Sequence, residues 1–312
     1  MPRHGPRSLA AEMRGFLSEL GGVLGPGVPR QFLYRVRDND ILGLAGQLAY
    51  FFLLSFFPFL VFVVALAGLA INEPQAVVTA LIERASGLLP QEAVRILTGY
   101  TGRTLNRTGP VVLFFGVAGT LWLGSASAIA ISKAANRAYG VRESRGFVKL
   151  RGTSILLAVG FTFLVVALIL SVVKAEGYVQ GLGGFAEGAT FLLLWKIARW
   201  IVLFLAVTLA LDALYYLAPD VRVPFRWITP GGLVAAVLMF TASTILSFYV
   251  SRLGSYDQVY GQLAAVIVFM IWLYTIGLTV LAGVELNAVL TLRAEEREDI
   301  ELIRPQRRDT SP

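Results

Sequence analysis

Residues 41–71 read ILGLAGQLAYFFLLSFFPFLVFVVALAGLAI, about thirty residues without a charged side chain. Roughly 20 apolar residues carry a helix across a hydrocarbon core of ~30 Å, so this stretch is long enough to span a bilayer. Five more stretches share its character, near 110–132, 152–173, 191–217, 229–250 and 262–290. The sequence therefore predicts an all-α, polytopic transmembrane helical bundle with six spans. A hydrophobic content of 56% and a mean hydropathy of +0.69 point the same way. Six spans and their loops use nearly all of the 312 residues and leave no room for a separate soluble catalytic domain. The expected organisation is a cytoplasmic amphipathic segment at 1–40, a six-helix membrane domain at 41–292 with an external helical segment at 72–109, and a charged cytoplasmic tail at 293–312.

Basic residues set the orientation. Six Lys or Arg precede the first span, six lie in the 133–151 loop, two in 218–228 and five in the tail. These 19 fall on one side, against seven on the other. Lys and Arg concentrate in cytoplasmic loops, so both termini are expected in the cytosol of a bacterial inner membrane. The 133–151 loop is decisive, because it is short, carries Lys133, Arg137, Arg142, Arg145, Lys149 and Arg151, and is opposed only by Glu143. The same argument accounts for the net charge of +7 without invoking nucleic acid.

The chain has no cysteine and a single histidine, His4. That removes thiol nucleophiles, disulfides, thiolate metal sites and the usual histidine-dependent triads and zinc sites. No metal, cofactor or enzymatic activity is expected. Residues 1–40 lack a short apolar core followed by a small-residue cleavage site, so no cleaved signal peptide is expected.

Two segments outside the spans carry amphipathic patterns. Leu9, Met13, Phe16, Leu17, Leu20 and Leu24 recur at helical spacing, as do Val77, Val78, Leu81, Ile82 and Ala85 before Pro90, with Ala93, Ile96, Leu97 and Tyr100 after it. They fit helices lying in the membrane interface or packed on the bundle as a lid. A faint internal echo links Pro110 with Tyr139-Gly140 and Pro230 with Tyr260-Gly261, in the register that an inverted 3+3 repeat requires.

Ionisable groups within spans cost on the order of 2.5–3.5 kcal/mol at a helix centre on insertion scales. Lys196, Arg199, Asp212 and Glu285 are the candidates. Arg199 and Asp212 are separated by about 20 Å on a straight helix, so they cannot be partners. The predicted inner polar cluster comprises Gln47, Asn136, Arg137, Asp212, Glu285 and Asn287, with Arg137 pairing Glu285 or Asp212 to offset burial. The competing reading places both acids at headgroup level, where they serve topology. In the outer half, Arg199 between Trp195 and Trp200 is the main substrate-binding candidate, with Ser55, Pro58, Tyr256 and Tyr260 as the others. Ser55 and Pro58 interrupt the first span, and Pro58 is expected to kink it and to line a cavity or serve packing. The Gly124-Ser125-Ala126-Ser127 run favours close helix approach.

Several stretches together resemble the YihY/BrkB family, also known under a ribonuclease BN-like label. They are Leu48 to Pro58; Asn136-Arg137 with Tyr139-Gly140-Val141; Leu214 to Asp220; Pro230-Gly231-Gly232; Phe248 to Tyr256, continuing through Val259-Tyr260-Gly261 to Ile271-Trp272-Leu273-Tyr274; and Gly283-Val284-Glu285-Leu286-Asn287. Tyr260-Gly261 followed by Trp272-Leu273-Tyr274 is the most specific piece, and the resemblance runs over about residues 35–292 in order. Ala218 stands where a bulky apolar residue is more usual, and Gln47 where a small one is. The resemblance implies a six-span bacterial inner-membrane protein, linked to virulence, serum resistance and envelope phenotypes and to transport of lipids or other solutes. A ribonuclease reading fits poorly, because histidine-free RNA hydrolysis would need clustered carboxylates on a wetted surface. The one dense acidic group, Glu295 to Glu301, is interleaved with arginine in the tail.

Three functions compete. The leading one is a transporter of lipidic or amphipathic anions, with membrane lipids and such an anion as partners. A proton- or sodium-coupled exchanger using Asp212 or Glu285 is the second, and a non-transporting envelope scaffold the third. An oligomer is compatible with each.

Overall fold

Apolar sequence in lipid has one economical solution, because every backbone N–H and C=O must be satisfied within the chain and a helix does this locally. The computed structural model describes residues 21, 25, 27–70, 110–181, 189–221, 227–252 and 262–308. Among them are seven helices: α1 (Val28–Asp38), α2 (Ile41–Ala70), α3 (Pro110–Ala138), α4 (Phe147–Gly181), α5 (Ala189–Leu217), α6 (Pro230–Arg252) and α7 (Gln262–Arg308). Six of these, α2 to α7, are long and apolar enough to cross a membrane. The fold is thus the all-α six-span bundle that the apolar stretches predict.

The helices overrun several of the stretches read from hydropathy. α3 continues to Ala138, α4 runs from Phe147 to Gly181, and α7 extends 47 residues to Arg308. The reason is physical. Hydropathy marks where side chains meet lipid, whereas a helix stops only where its backbone bonds are capped or broken. The expected amphipathic segment at 9–24, apart from Gly21, and the external segment at 72–109 lie outside the described residues. So does Gly261, the counterpart of Gly140 in the proposed internal echo.

Each span packs on its chain neighbours, and α7 closes back on α2 and α3. The lightest packing between consecutive spans is α4 against α5. The core is dominated by small residues: Ala45 of α2, Ala134, Ala135 and Ala138 of α3, Ala235 and Ala236 of α6 and Ala288 of α7 are all buried, with Leu48, Leu281 and Val284 filling between them. Lipid tails are as apolar as leucine, so close backbone approach and dispersion, rather than water exclusion, hold such interfaces together.

Pro58 lies inside α2 and removes one backbone donor there. The site is covered by α3: a Cβ at Gly119 would come within 2.9 Å of Pro58 Cβ, and one at Gly116 within 2.9 Å of the Phe62 backbone nitrogen. The two glycines let α3 lie directly on the proline-bearing stretch. Ser55 turns its hydroxyl to the Phe52 carbonyl of its own helix at 3.1 Å.

Gly116→Leu should therefore cost about 1–3 kcal/mol through overpacking against backbone that cannot yield. Gly124→Ala, whose Cβ would meet Ala158 at an ordinary 3.5 Å, should leave the thermal midpoint of the detergent-solubilised protein unchanged or slightly higher. Thermal melts of the two variants beside the parent check both.

Candidate functional site

One end of the bundle gathers α1, the 139–146 loop and the approach to α6, and most of the candidate polar residues meet there. This is the basic end of the bundle. Three nodes make it up.

The first node caps α6. The sequence Thr229-Pro230-Gly231-Gly232 is a helix start: an oxygen-bearing cap, proline at the first helical position, and exposed N–H groups behind. Thr229 Oγ1 accepts from Gly232 N at 3.0 Å and donates to Asp212 Oδ1 at 2.5 Å. Asp212 Oδ2 accepts from Thr229 N at 3.2 Å. Asn287 accepts from Gly231 N at 2.8 Å and donates to Thr229 Oγ1 at 2.8 Å. Asp212 and Asn287 are both buried, and a carboxylate at a helix N-terminus also meets the positive end of the macrodipole. Glycine is required here because any Cβ at Gly231 would strike the Gly283 carbonyl and Asn287, and one at Gly232 the Asp212 carboxylate. The phenol of Tyr215, three residues beyond Asp212, donates to the Val280 carbonyl at 2.8 Å and ties α5 to α7.

The second node holds α1. Glu285 is 0% exposed. Its Oε2 accepts from Asn39 Nδ2 at 2.9 Å, and its Oε1 lies 3.6 Å from Arg35 Nη1 without a hydrogen bond. Arg35 also donates to the Ala138 carbonyl at 2.8 Å, satisfying the end of α3. Arg293 Nε donates to Gln31 Oε1 at 2.5 Å. α1 is thus strapped between α3 and α7, and Asp40, at φ 52°, makes the sharp turn into α2.

The third node locks the 139–146 loop to the segment after α5. Arg145 grips Glu143 with Nε at 2.7 Å and Nη2 at 2.8 Å, and donates Nη2 to the Ala218 carbonyl at 2.8 Å. Asn136 donates to Glu143 at 2.8 Å and accepts from Asp220 N at 2.6 Å. Ser144 donates its backbone N–H and its hydroxyl to Asp220 Oδ2 at 2.7 and 2.5 Å. The Arg145 hydrogen bonds hold the Glu143 carboxyl below its ordinary range against the opposing pull of burial. Hydrogen bonds from Ser144 do the same for Asp220, and Glu143 pushes the Arg145 guanidinium up.

The predicted inner cluster is therefore not one cluster. Asp212 and Asn287 meet at the first node, Glu285 sits in the second, and Asn136 in the third. Arg137 pairs with neither acid. It is exposed and donates to the Asn39 carbonyl at 3.0 Å, while the cation beside Glu285 is Arg35. The correction follows from helix phase, since Asn136 and Ala138 turn inward and Arg137 between them turns out. Gln47 is exposed for the same reason, between the buried Ala45 and Leu48. Arg199 lies far away on α5, half-buried, about 27 Å from Leu217, and has no hydrogen-bond or ion-pair partner among the described residues. Trp195 and Trp200 flank it, and Trp200 packs edge-on to Phe240. Tyr256 and Tyr260 lie outside the described residues, as does the side chain of Lys196.

Sequence reasoning missed Thr229, Arg35, Asn39, Glu143, Arg145 and Asp220. The Thr-Pro-Gly-Gly start signalled the first of these. Val28, Phe32 and Val36, four apart, signalled α1: Val28 and Phe32 join Leu286 and Val289, and Val36 packs against the main core.

Six long apolar helices with buried, internally matched polar groups define a polytopic α-helical membrane protein. The chain belongs to the BrkB virulence-factor family, whose model matches residues 32–306. It is similar to a ribonuclease-like protein, YfkH, of Bacillus subtilis, with 37% identity over 253 residues, 80% of this chain and 90% of the relative. It is also similar to the UPF0761 membrane protein PSHAa0171 of Pseudoalteromonas translucida, with 27% identity over 293 residues, 89% of this chain and 90% of the relative. A third, ACIAD3168 of Acinetobacter baylyi, is 28% identical over 255 residues, 79% of this chain and 58% of the relative. No solved structure matches the chain.

Asp212→Leu should destabilise the protein by about 1–3 kcal/mol or more, because Thr229 loses acceptors in a buried setting, whereas Asp212→Asn, which keeps one acceptor, should lose less. Chemical or thermal unfolding in detergent compares them. The third node predicts a pH dependence. Carboxyls depressed on folding contribute stability that is complete at neutral pH and fades as pH falls through and below their ordinary values of 4.5 and 3.8. The thermal midpoint should therefore drop between about pH 5 and about pH 3, and Arg145→Ala should start lower at neutral pH and decline less steeply.

Proposed function

We propose that this chain is a transporter of the bacterial inner membrane that moves a lipidic or amphipathic anion, with both termini and the basic end in the cytoplasm. One contrast carries the proposal. At the basic end Glu143, Asp212, Asp220 and Glu285 are each met by a hydrogen-bonding or charged partner, whereas Arg199, in an apolar helix, has none among the described residues. An intramembrane cation without a counter-charge is by default a place where an anion is handled. Its indole neighbours offer apolar faces to the rest of an amphipath. α5, which carries it, meets α4 across the lightest packing between consecutive spans, a seam where helices can part with little loss. The excess of Lys and Arg on the basic side supports the orientation.

The non-enzymatic reading draws on the sequence, which has no cysteine and the lone His4. The ribonuclease-like wording in the name of YfkH describes that relative. A second reading, ion-coupled exchange through Glu285, draws on one observation: Oε1 is buried without a hydrogen bond. The capping duty of Asp212 argues against that residue as the titrating group.

Reconstitution into liposomes with a labelled anionic phospholipid tests the proposal. The expected result is movement above empty vesicles, reduced about tenfold by Arg199→Ala and less by Arg199→Lys, a loss of about 1.4 kcal/mol of interaction. No movement above empty vesicles would reject transport in favour of a scaffold. Movement insensitive to Arg199→Ala but abolished by Glu285→Gln would favour the carboxylate reading.

A further inference from the structure

A second unmatched cation lies deeper in the bundle. Gly124 of α3 faces Ala158 of α4, so Arg151, seven residues before Ala158, begins about 10 Å nearer the basic end. A lipid-facing arginine there would extend toward the surface and place its charge in water. Arg151 instead turns back into the span. Its guanidinium lies 4.0 Å from the centre of the Trp122 ring, and Nη2 donates to the Trp122 carbonyl at 3.1 Å. Trp122 stands about 12 Å inside the start of the α3 span at Phe114 and about 24 Å from its end at Ala138, well below headgroup level.

The local satisfaction of this charge is incomplete. That carbonyl already accepts from Ser125 Oγ at 2.8 Å, and Arg151 Nε is buried without a partner. Five N–H donors thus share one described acceptor. The ion pairs found among the described residues join Arg35 to Glu285, and Arg145 to Glu143 and Asp220, and none reaches Arg151. One turn along α4, Ser154 is 0% exposed with an unpartnered hydroxyl. It is on the side that meets α3, as residues three apart share a face. Trp122 itself is 64% exposed, so its indole is open to lipid.

We propose that the Arg151 guanidinium on Trp122, with the Ser154 hydroxyl beside it, is an anion subsite within the hydrocarbon zone, shaped for a phosphate-type group. The guanidinium fork presents parallel donors to two oxygens, which a phosphate supplies and a spherical halide does not. The serine adds a third donor, and the exposed indole offers an apolar wall for the glycerol or acyl part of a lipid. As a station on a path that includes Arg199, the subsite rests on the transport reading. As a binding site it does not.

Equilibrium binding, which needs no transport, tests it. The full-length protein in detergent is titrated calorimetrically with short-chain phosphatidylglycerol, short-chain phosphatidylcholine and inorganic phosphate. Phosphatidylglycerol should bind, with affinity falling about tenfold in Arg151→Ala and less in Arg151→Lys and Ser154→Ala. Inorganic phosphate binding equally well, with the same variant dependence, would support the subsite and make the free anion its ligand. Loss of phosphatidylglycerol affinity only in variants with a lowered thermal midpoint would overturn it, and so would affinities indifferent to Arg151→Lys and Ser154→Ala, both mild enough to keep the fold. If binding follows these variants while liposomes show no movement, the subsite stands and the transport reading falls.

Discussion

A helix that starts inside a lipid-embedded protein exposes N–H groups that water cannot reach, and α6 starts in that way. The answer is Asp212 from α5, Asn287 from α7 and Thr229 at the cap, with Gly231 and Gly232 admitting them. This arrangement fixes three spans against one another at a point. Other contacts hang from it in sequence. α7, once placed, presents Glu285 to α1, and Arg35 of α1 then reaches the end of α3. Asn136, near that end, organises the loop that Arg145 fastens beyond α5. A circuit of polar contacts thus runs around the basic end and returns to its origin.

Among the described residues, two sets of charges stand apart. Those of the circuit are matched, and their removal would be felt as instability. Arg151 rests on the Trp122 ring and one carbonyl, and Arg199 has no hydrogen-bond or ion-pair partner among the described residues. Burial of a charge without its opposite is unfavourable, and folding offers no return for it. The separation is also spatial, with the matched groups at the basic end, Arg151 against α3, and Arg199 on α5, whose contact with α4 is the lightest between consecutive spans.

The spans were legible because their signal is length and oiliness, which tertiary context hardly alters in lipid. Their ends were less so: nothing apolar marks Ala138 or Arg308 as helix termini. The buried polar residues were recognisable one by one, since Asn136, Asp212, Glu285 and Asn287 stand out in apolar surroundings. Their partners were not. Arg35 and Asn39 sit in a basic stretch whose charges read as orientation signals, and only the packing of α1 shows that one of those arginines turns inward. Arg137 illustrates the converse, being a residue of the right type one helical step out of phase. By sequence Arg151 belongs to the basic loop, and no periodicity reveals that its side chain points down rather than up.

α7 runs 47 residues, about 70 Å where the hydrocarbon needs ~30 Å, with Pro305 close to its end. A helix of that length is stiff, so its far portion acts as a handle. A sideways force on that handle pivots the buried stretch that carries Glu285 and Asn287, and through them the seats of α1 and α6. Whatever grips the end of that stem would thereby have mechanical leverage over the buried stretch of the bundle.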